Sequence, residues 1–335
     1  MTIKQLVTNH GIRRHGSANL PSGKRLQGAG DARHRPAMCT GVHEQADNTA
    51  DSVPCDRLPQ LLLCTDLDRT LLPNGFQAES PAARPLFGKL AAEPFVTLAY
   101  VSGRDFHLLQ KAIEQFDLPC PDFMVGDVGT TIYRRVAGSW QSWQEWHEMI
   151  GKDWQGTTTG ELAALLDGIA ELELQEPEKQ GRFKLSYYTD PEIDSAILKA
   201  RVRSRLAHCP AKVRSVFSVD EVNRLGLFDL LPESASKLEA VRFIIRRTGV
   251  DPERTLYAGD SGNDLEVLTS EIRSILVANA IDEVKRQARQ GAPAGTLYIA
   301  RGDFLDMNGN YAAGLLEGAV HYLPELASLL ENGRR

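Results

Sequence analysis

The side chains best suited to chemistry in this 335-residue chain stand in four short strings. Asp66 and Asp68 follow the apolar run Leu61-Leu62-Leu63-Cys64 and precede Arg69 and Thr70. Side chains alternate along an extended chain, so both carboxylates leave the strand end on one side. Two like charges this close repel unless a cation lies near them, and a divalent metal is the common solution. The second acidic string is Tyr257-Ala258-Gly259-Asp260-Ser261-Gly262-Asn263-Asp264. Its glycines allow a tight turn and close approach of backbone to a ligand. Asp260, Asn263 and Asp264 offer the hard oxygens that suit Mg²⁺, whereas zinc would call for Cys or His. Ser102-Gly103 opens a helical stretch, where a hydroxyl and free backbone N–H groups can hold an anion. Lys237, after Pro232-Glu233-Ser234-Ala235-Ser236, begins another helix; alone it is an ordinary surface lysine, and it gains weight only beside the other strings.

The elements that must position these strings read as alternating strands and helices. Apolar runs at 61–65, 95–101 and 122–125 each end in one of the polar loops, and the last leads into Gly126-Asp127-Val128-Gly129-Thr130-Thr131. Continuous apolar strands alternating with helices predict a parallel sheet covered on both faces, with ligands bound at the carboxyl ends of its strands. From about 142 to 231 the pattern breaks. A Trp-rich entry is followed by a helix near 160–173, a strand over 182–189, a helix over 195–206 and strands over 212–218 and 225–231. Ninety residues are too many for a loop, so this segment reads as an inserted α+β domain. The α/β pattern then resumes with a helix over 237–248, a strand at 255–258, a helix at 264–269, strands at 273–278 and 296–299, and a closing helix over 311–322.

Composition sets the outer limits. The net charge of −6 and the pI near 5.8 give no electrostatic footprint for nucleic acid or an anionic membrane. No apolar run approaches the roughly 18 residues of a membrane span. Five scattered cysteines without a Cys-x-x-Cys pair read as reduced thiols of a cytoplasmic protein rather than as a disulfide framework. Residues 1–57 carry eight Lys/Arg against five Asp/Glu, lack apolar periodicity, and read as a disordered extension.

Taken together and in order, the strings resemble the four motifs of the haloacid dehalogenase-like phosphatases. Asp66-Leu67-Asp68-Arg69-Thr70 matches the first, Ser102-Gly103-Arg104 the second, Lys237 the third and Gly259–Asp264 the fourth. An insert between the second and third motifs is similar to that of the C2-capped branch. Within that branch Val101–Arg104, Val128-Gly129-Thr130, Arg182–Tyr187, Phe228–Pro232 and Ala312–Leu316 look most like the sucrose-phosphate phosphatase group. The resemblance implies an α/β Rossmannoid core over 58–141 and 232–335 with an α+β cap over 142–231. Two positions depart from that group's pattern: Thr131 stands where Glu is usual, and Ser102 where Thr is usual. Ser keeps the hydroxyl; Thr131 leaves the sugar open.

The resemblance also implies a chemistry. Asp66 would attack phosphorus to form an aspartyl-phosphate, and Asp68 would protonate the leaving oxygen and then deprotonate water. Mg²⁺ would be held by Asp66, Asp260 and the backbone carbonyl of Asp68, with Asn263 and Asp264 behind, and Ser102 and Lys237 would assist with charge. Gly103, Arg104, Gly129 and Thr130 fall to substrate binding. On the 182–188 strand, Lys184, Ser186 and Tyr188 share one face; Lys184 reads equally as a contact to substrate or as a solvent-facing lysine. Trp140, Trp143, Trp146 and Trp154 read as packing at a domain joint, or as rings that stack on a sugar. The expected substrate is a disaccharide phosphate such as sucrose 6-phosphate, with mannosylfructose phosphate, glucosylglycerol phosphate and mannosyl-3-phosphoglycerate as variants. A hexose phosphomutase and a non-catalytic phosphatase-like binding module are the readings from other classes. The expected partners are that small molecule and a sucrose-phosphate synthase, on a monomer.

Overall fold

The computed structural model describes residues 58–220 and 223–333, so the extension expected over 1–57 lies outside the described residues. Strand β1 (Leu61–Thr65) is wholly buried. Leu61 and Leu63 point into one hydrophobic core while Leu62 and Cys64 point into another, which is why the run has no polar alternate. It is followed by α1 (Ala83–Ala91), β2 (Val96–Val101), α2 (Phe106–Gln115) and β3 (Phe123–Gly126). Strands β4 (Thr131–Val136) and β5 (Ser139–Ser142) then form a hairpin, and helices α3 (Gln144–Trp154) and α4 (Thr159–Leu166) follow. Next come β6 (Glu173–Leu174), β7 (Leu185–Thr189), α5 (Ser195–Arg205), β8 (Val213–Asp220) and β9 (Leu225–Pro232). The chain continues through α6 (Lys237–Thr248), β10 (Thr255–Gly259), α7 (Leu265–Leu268) and β11 (Arg273–Leu276). It ends with α8 (Asp282–Gly291), β12 (Leu297–Ile299), α9 (Ala312–Tyr322) and α10 (Leu326–Gly333).

The strands make two sheets. The larger runs β12-β11-β10-β1-β2-β3-β4-β5, parallel from β12 to β3 and antiparallel through the hairpin. Thr65 pairs with Ala258 of β10 on one side and Tyr100 of β2 on the other. The chain leaves β1 in opposite directions across the sheet, so its carboxyl end is a topological switch point, the place where open α/β sheets bind ligands. The smaller sheet is antiparallel, in the order β6-β7-β9-β8. Helices α4 and α5 cover one of its faces, where Leu162, Leu166, Leu198 and Val202 pack on Leu185, Tyr187, Phe228 and Leu230. By strand alternation, Ser186 and its cross-strand neighbour Asp229 lie on the other face. That face meets the elements of the larger sheet: Lys184 Nζ stands 3.2 Å from Asp127, and Arg214 Nη1 2.7 Å from Glu266.

Several expectations need correction. The helix expected to reach residue 173 ends at Leu166, because Gly168 takes a left-handed φ of 80° and turns the chain. The strand expected from Arg182 begins at Leu185. The β4–β5 hairpin, α8 and α10 have no counterpart in the sequence reading. Cys64 and Cys209 are free, but Cys120 is disulfide-bonded, so five reduced thiols is not the state described. Trp143 and Trp146 pack on Phe243 of α6 with ring centroids 4.9 and 5.2 Å away, and Trp154 lies in the core of the smaller sheet. Those three rings are buried in cores. Among the described residues no helix is long and apolar enough to cross a membrane.

Candidate active site

The loops at the carboxyl ends of β1, β2, β3 and β10 converge with the start of α6. Asp66, the first residue past β1, is fixed from both ends: its backbone N–H donates to Ala258 O at 2.9 Å, and its Oδ1 accepts from Leu67 N at 2.7 Å. Its other oxygen, Oδ2, accepts from Lys237 Nζ at 2.9 Å. The same ammonium donates to Asp264 Oδ1 at 2.7 Å and Asn263 Oδ1 at 2.8 Å. Lys237 can reach them because Ser236 caps α6, accepting from Glu239 N, and so starts the helix at this point.

Asp264 is the organiser of the second acidic loop. Its Oδ2 accepts the backbone N–H groups of Asp260 and Ser261 at 3.1 and 3.0 Å, and its Oδ1 accepts the Tyr257 hydroxyl at 2.5 Å. Gly259 makes this fold-back possible: a Cβ there would sit 2.6 Å from Asp264 Cγ. Asp260 is held by the Thr70 hydroxyl at 3.0 Å and by Arg69 Nε at 3.6 Å. Oxygens of Asp66, Asp260 and Asp264 all lie within 4.8 Å of one another, and all three residues are buried.

The electrostatics follow from three buried carboxylates, two of which share the Lys237 ammonium while the third faces Arg69. Burial, reinforced by Asp264 and Asp68 and opposed by Lys237, pushes the Asp66 carboxyl up to about 7. Asp260 is raised well above the carboxylate range by burial and then by the charges of Asp264 and Asp66, against Arg69 and Thr70. Burial also works against ionisation of Asp264, but the charge and hydrogen bond of Lys237 and the Tyr257 hydroxyl outweigh it and hold that carboxyl low. Lys237 is held above the usual lysine range by Asp264 and Asp66 despite its burial. The surplus is negative, and every side-chain donor in the cluster is a hard oxygen, so the residues present fit a hard divalent cation.

Asp68 stands apart from this cluster. Arg104 grips it with two hydrogen bonds, Nε to Oδ2 at 2.7 Å and Nη2 to Oδ1 at 2.6 Å, and Asn74 donates to it at 2.6 Å. Burial pushes this carboxyl up, but Arg104 and Asn74 hold it below the usual range. Arg104, expected at the substrate, is thus engaged with Asp68. The buried Ser102 accepts from the Arg104 backbone N–H at 3.2 Å through its Oγ. Gly103 lies between them. In the next loop Thr130 is also buried, its hydroxyl donating to Asp127 O at 3.1 Å. Gly129, at φ 98°, packs so tightly on α6 that a Cβ would fall 2.3 Å from the Ser236 carbonyl carbon. Its carbonyl accepts from Trp146 Nε1 at 3.2 Å. Lys184 is buried against Asp127 rather than facing solvent. A cavity of about 730 Å³ adjoins Lys237 and Asn263 and reaches Arg214 and Val216 of β8 and Lys199 and Arg203 of α5. Its size falls within the range of small-molecule pockets.

Four contributors escaped the sequence reading: Thr70, Asn74, Asp127 and Tyr257. Thr70 and Tyr257 lie inside the acidic strings, and their hydroxyls at strand ends were the available signal. Asn74 carries none, being an asparagine after Pro73 in a loop. Asp127 has φ 52°, which a sequence does not display.

The profile of the family described as sucrose-6F-phosphate phosphohydrolase matches residues 59–323. A Nitrosococcus oceani protein that carries only a general HAD-like hydrolase description is 50% identical over 82% of this chain and 75% of its own length. The mannosylfructose-phosphate phosphatase of Agrobacterium fabrum is 25% identical over 79% of this chain and 97% of its own. Among solved structures, the sucrose-phosphatase of Synechocystis sp. in complex with sucrose and phosphate superposes with a TM-score of 0.66. It is 27% identical and covers 79% of this chain and 98% of its own.

Proposed function

The chain belongs to the sucrose-6F-phosphate phosphohydrolase family and is a sugar phosphatase on a haloacid dehalogenase-like fold; from that premise we propose that it is a Mg²⁺-dependent hydrolase of a disaccharide phosphate, with sucrose 6-phosphate the first substrate to test. One observation carries the reading: the Asp66 carboxylate, the Lys237 ammonium and the Asp260 and Asp264 carboxylates meet at a strand-end switch point, beside a cavity large enough for a sugar phosphate. The near full-length relation to the mannosylfructose-phosphate phosphatase makes mannosylfructose phosphate the second substrate to test.

In the first step an Asp66 oxygen forms a bond to phosphorus as the bond to the sugar oxygen breaks, and the leaving oxygen takes a proton from Asp68. In the free protein Asp68 is held low by Arg104; the phosphoryl dianion, arriving beside it, raises its proton affinity. In the second step Asp68 takes a proton from water, the water oxygen bonds to phosphorus, and the bond to Asp66 breaks. Lys237 neutralises charge on Asp66 and on the phosphoryl oxygens, while the Ser102 hydroxyl and the N–H group of Gly103 hold those oxygens. Mg²⁺, held by Asp66, Asp260 and the carbonyl of Asp68, with Asp264 and Asn263 orienting them, would supply the remaining charge neutralisation. Residues 58–141 and 232–335 form the catalytic core in this proposal, and 142–231 form a cap whose polar sheet face, with Lys184, meets the sugar.

The test is phosphate release from sucrose 6-phosphate, mannosylfructose phosphate, glucosylglycerol phosphate and a hexose monophosphate, with Mg²⁺ and with EDTA. The proposal expects Mg²⁺-dependent release, fastest with a disaccharide phosphate. Equal rates on all four, or rates unaffected by EDTA, would refute it.

A further inference from the structure

The loop after β3 contains three consecutive residues in the left-handed region: Asp127 at φ 52°, Val128 at φ 59° and Gly129 at φ 98°. For a β-branched residue such as Val128 this is strained, and such strain persists only where surrounding contacts hold it. Here they do. Asp127 N donates to Arg104 O at 2.9 Å and Val128 N to Ser102 O at 3.2 Å, while Gly129 is wedged on Ser236 and Lys237. The result of this turn is the direction of one side chain. Asp127 Oδ1 accepts from Lys184 Nζ at 3.2 Å, and Oδ2 accepts from the Thr131 hydroxyl at 3.3 Å.

Both charges are buried between the two sheets, yet neither is saturated. An ammonium has three donors and a carboxylate about four acceptor positions. Among the described residues Lys184 gives one of its donors to a protein acceptor, Asp127. Beside them Asp229 is buried and accepts the Ser186 hydroxyl at 2.5 Å. Unused donors and acceptors in a buried place are costly unless something completes them. Sugar hydroxyls, which both donate and accept, match that requirement; a second phosphate, with acceptors only, does not match a site holding Asp127 and Asp229.

We propose that Asp127 is a specificity-determining residue: its carboxylate, with Lys184 across the inter-sheet gap, binds hydroxyl groups of the substrate remote from the phosphoryl group. This rests on the sugar-phosphatase reading and extends it to a residue outside the four motifs. The hydroxyls enter between the two charges, replacing their direct contact with bridged hydrogen bonds, so the correct sugar links the two sheets through the substrate.

The experiment compares wild type with Asp127→Asn, Asp127→Ala and the double variant Asp127→Ala/Thr131→Glu, all with Mg²⁺. Steady-state turnover is measured on sucrose 6-phosphate and on p-nitrophenyl phosphate, which has no sugar, and binding of unphosphorylated sucrose is measured by calorimetry. Loss of a hydrogen bond to a charged group predicts a KM for sucrose 6-phosphate raised roughly 10- to 100-fold, with sucrose binding weakened to match. kcat/KM on p-nitrophenyl phosphate stays within about threefold, since that substrate has nothing for Asp127 to hold. Because the Thr131 hydroxyl already touches Asp127, a carboxylate at 131 reaches the same place, and the double variant regains part of the lost affinity. Equal losses on both substrates would assign Asp127 a purely structural role and overturn the proposal, as would an unchanged KM and unchanged sucrose binding in Asp127→Asn. The calorimetric arm requires no turnover, so failure of the catalytic reading, seen as no phosphate release from either substrate, remains distinct from failure of this one.

Discussion

Replacing Lys237 with Met removes the one cation that, among the described residues, is in hydrogen-bond contact with both Asp66 and Asp264, while keeping most of the side-chain volume. The ammonium is buried and donates to these two carboxylates at 2.9 and 2.7 Å. Breaking a buried pair by removing one partner leaves an uncompensated charge and costs about 3–5 kcal/mol. For a domain of this size each kcal/mol shifts Tm by about 2–4 °C, so in EDTA at pH 8 the variant should melt roughly 6–20 °C below wild type. The sign with pH is fixed by the carboxylates. Without Lys237 their proton affinity rises, so the folded protein holds protons that the unfolded chain has lost, and the variant loses stability as pH rises from about 4 upward. The deficit should therefore be smaller at pH 5 than at pH 8. Added Mg²⁺ should restore more stability to the variant than to wild type, since it supplies positive charge to the same oxygens. Turnover with Mg²⁺ should fall about 100- to 1,000-fold, the usual effect of deleting a preorganised charge at a reacting group. Thermal melts at both pH values, with and without Mg²⁺, and phosphate release provide the readout. A variant melting within about 2 °C of wild type in EDTA at pH 8 would refute the reasoning, because the carboxylates would then not depend on the ammonium.

Three further outcomes are expected. Gly129→Ala places a Cβ 2.3 Å from the Ser236 carbonyl carbon at a φ of 98°, so urea unfolding should show a loss well above the ~1 kcal/mol of an ordinary glycine substitution, with kcat reduced because the start of α6 is displaced. Arg104→Leu releases Asp68 from its two hydrogen bonds and should lower kcat about 100-fold while the Mg²⁺ affinity read by thermal shift stays near wild type. Because burial and its acidic neighbours push Asp66 up to about 7, metal and proton compete for it. The contribution of Asp66 to the stability of the metal-free protein should be full below the unfolded aspartate value of about 4 and be lost as pH rises through about 7, whereas the stabilisation by Mg²⁺ should grow over the same interval; melts from pH 5 to 8 check both signs.

What the sequence displayed and what it hid divide along physical lines. Buried parallel strands such as Leu61–Thr65 and Thr255–Gly259 announce themselves because both faces are covered and every position is apolar or small. The acidic strings at their ends are visible for the same reason, as abrupt changes of chemistry. The β4–β5 hairpin was hidden because its strands are half-exposed, with Arg134 and Arg135 in β4, and because its turn uses Ala137 and Gly138 at positive φ rather than the Asn-Gly signature. Helix α8 buries only Val284 and Ala288, two apolar positions in an otherwise charged and polar stretch that reads as solvated chain. The site's acidic residues were legible as types and spacings. Their division into an Asp66–Asp260–Asp264 cluster and a separate Asp68–Arg104 pair was not, since it depends on which way each side chain turns after the strand ends. Asp127 was hidden most completely, because its importance comes from a backbone conformation and from a lysine 57 positions away.

Asp66 supplies the oxygen that accepts the phosphoryl group in the proposed mechanism, and an acid-quenched single turnover reads this directly. The enzyme with Mg²⁺ is mixed with sucrose 6-phosphate, quenched within milliseconds, digested and analysed by mass spectrometry for phosphorylated peptides. A phosphoryl group on the peptide containing Asp66, transient in wild type and missing from Asp66→Asn, which also releases no phosphate, is the predicted result. Phosphate release by Asp66→Asn at the wild-type rate, or a phosphoryl group on a peptide lacking residue 66, would contradict it.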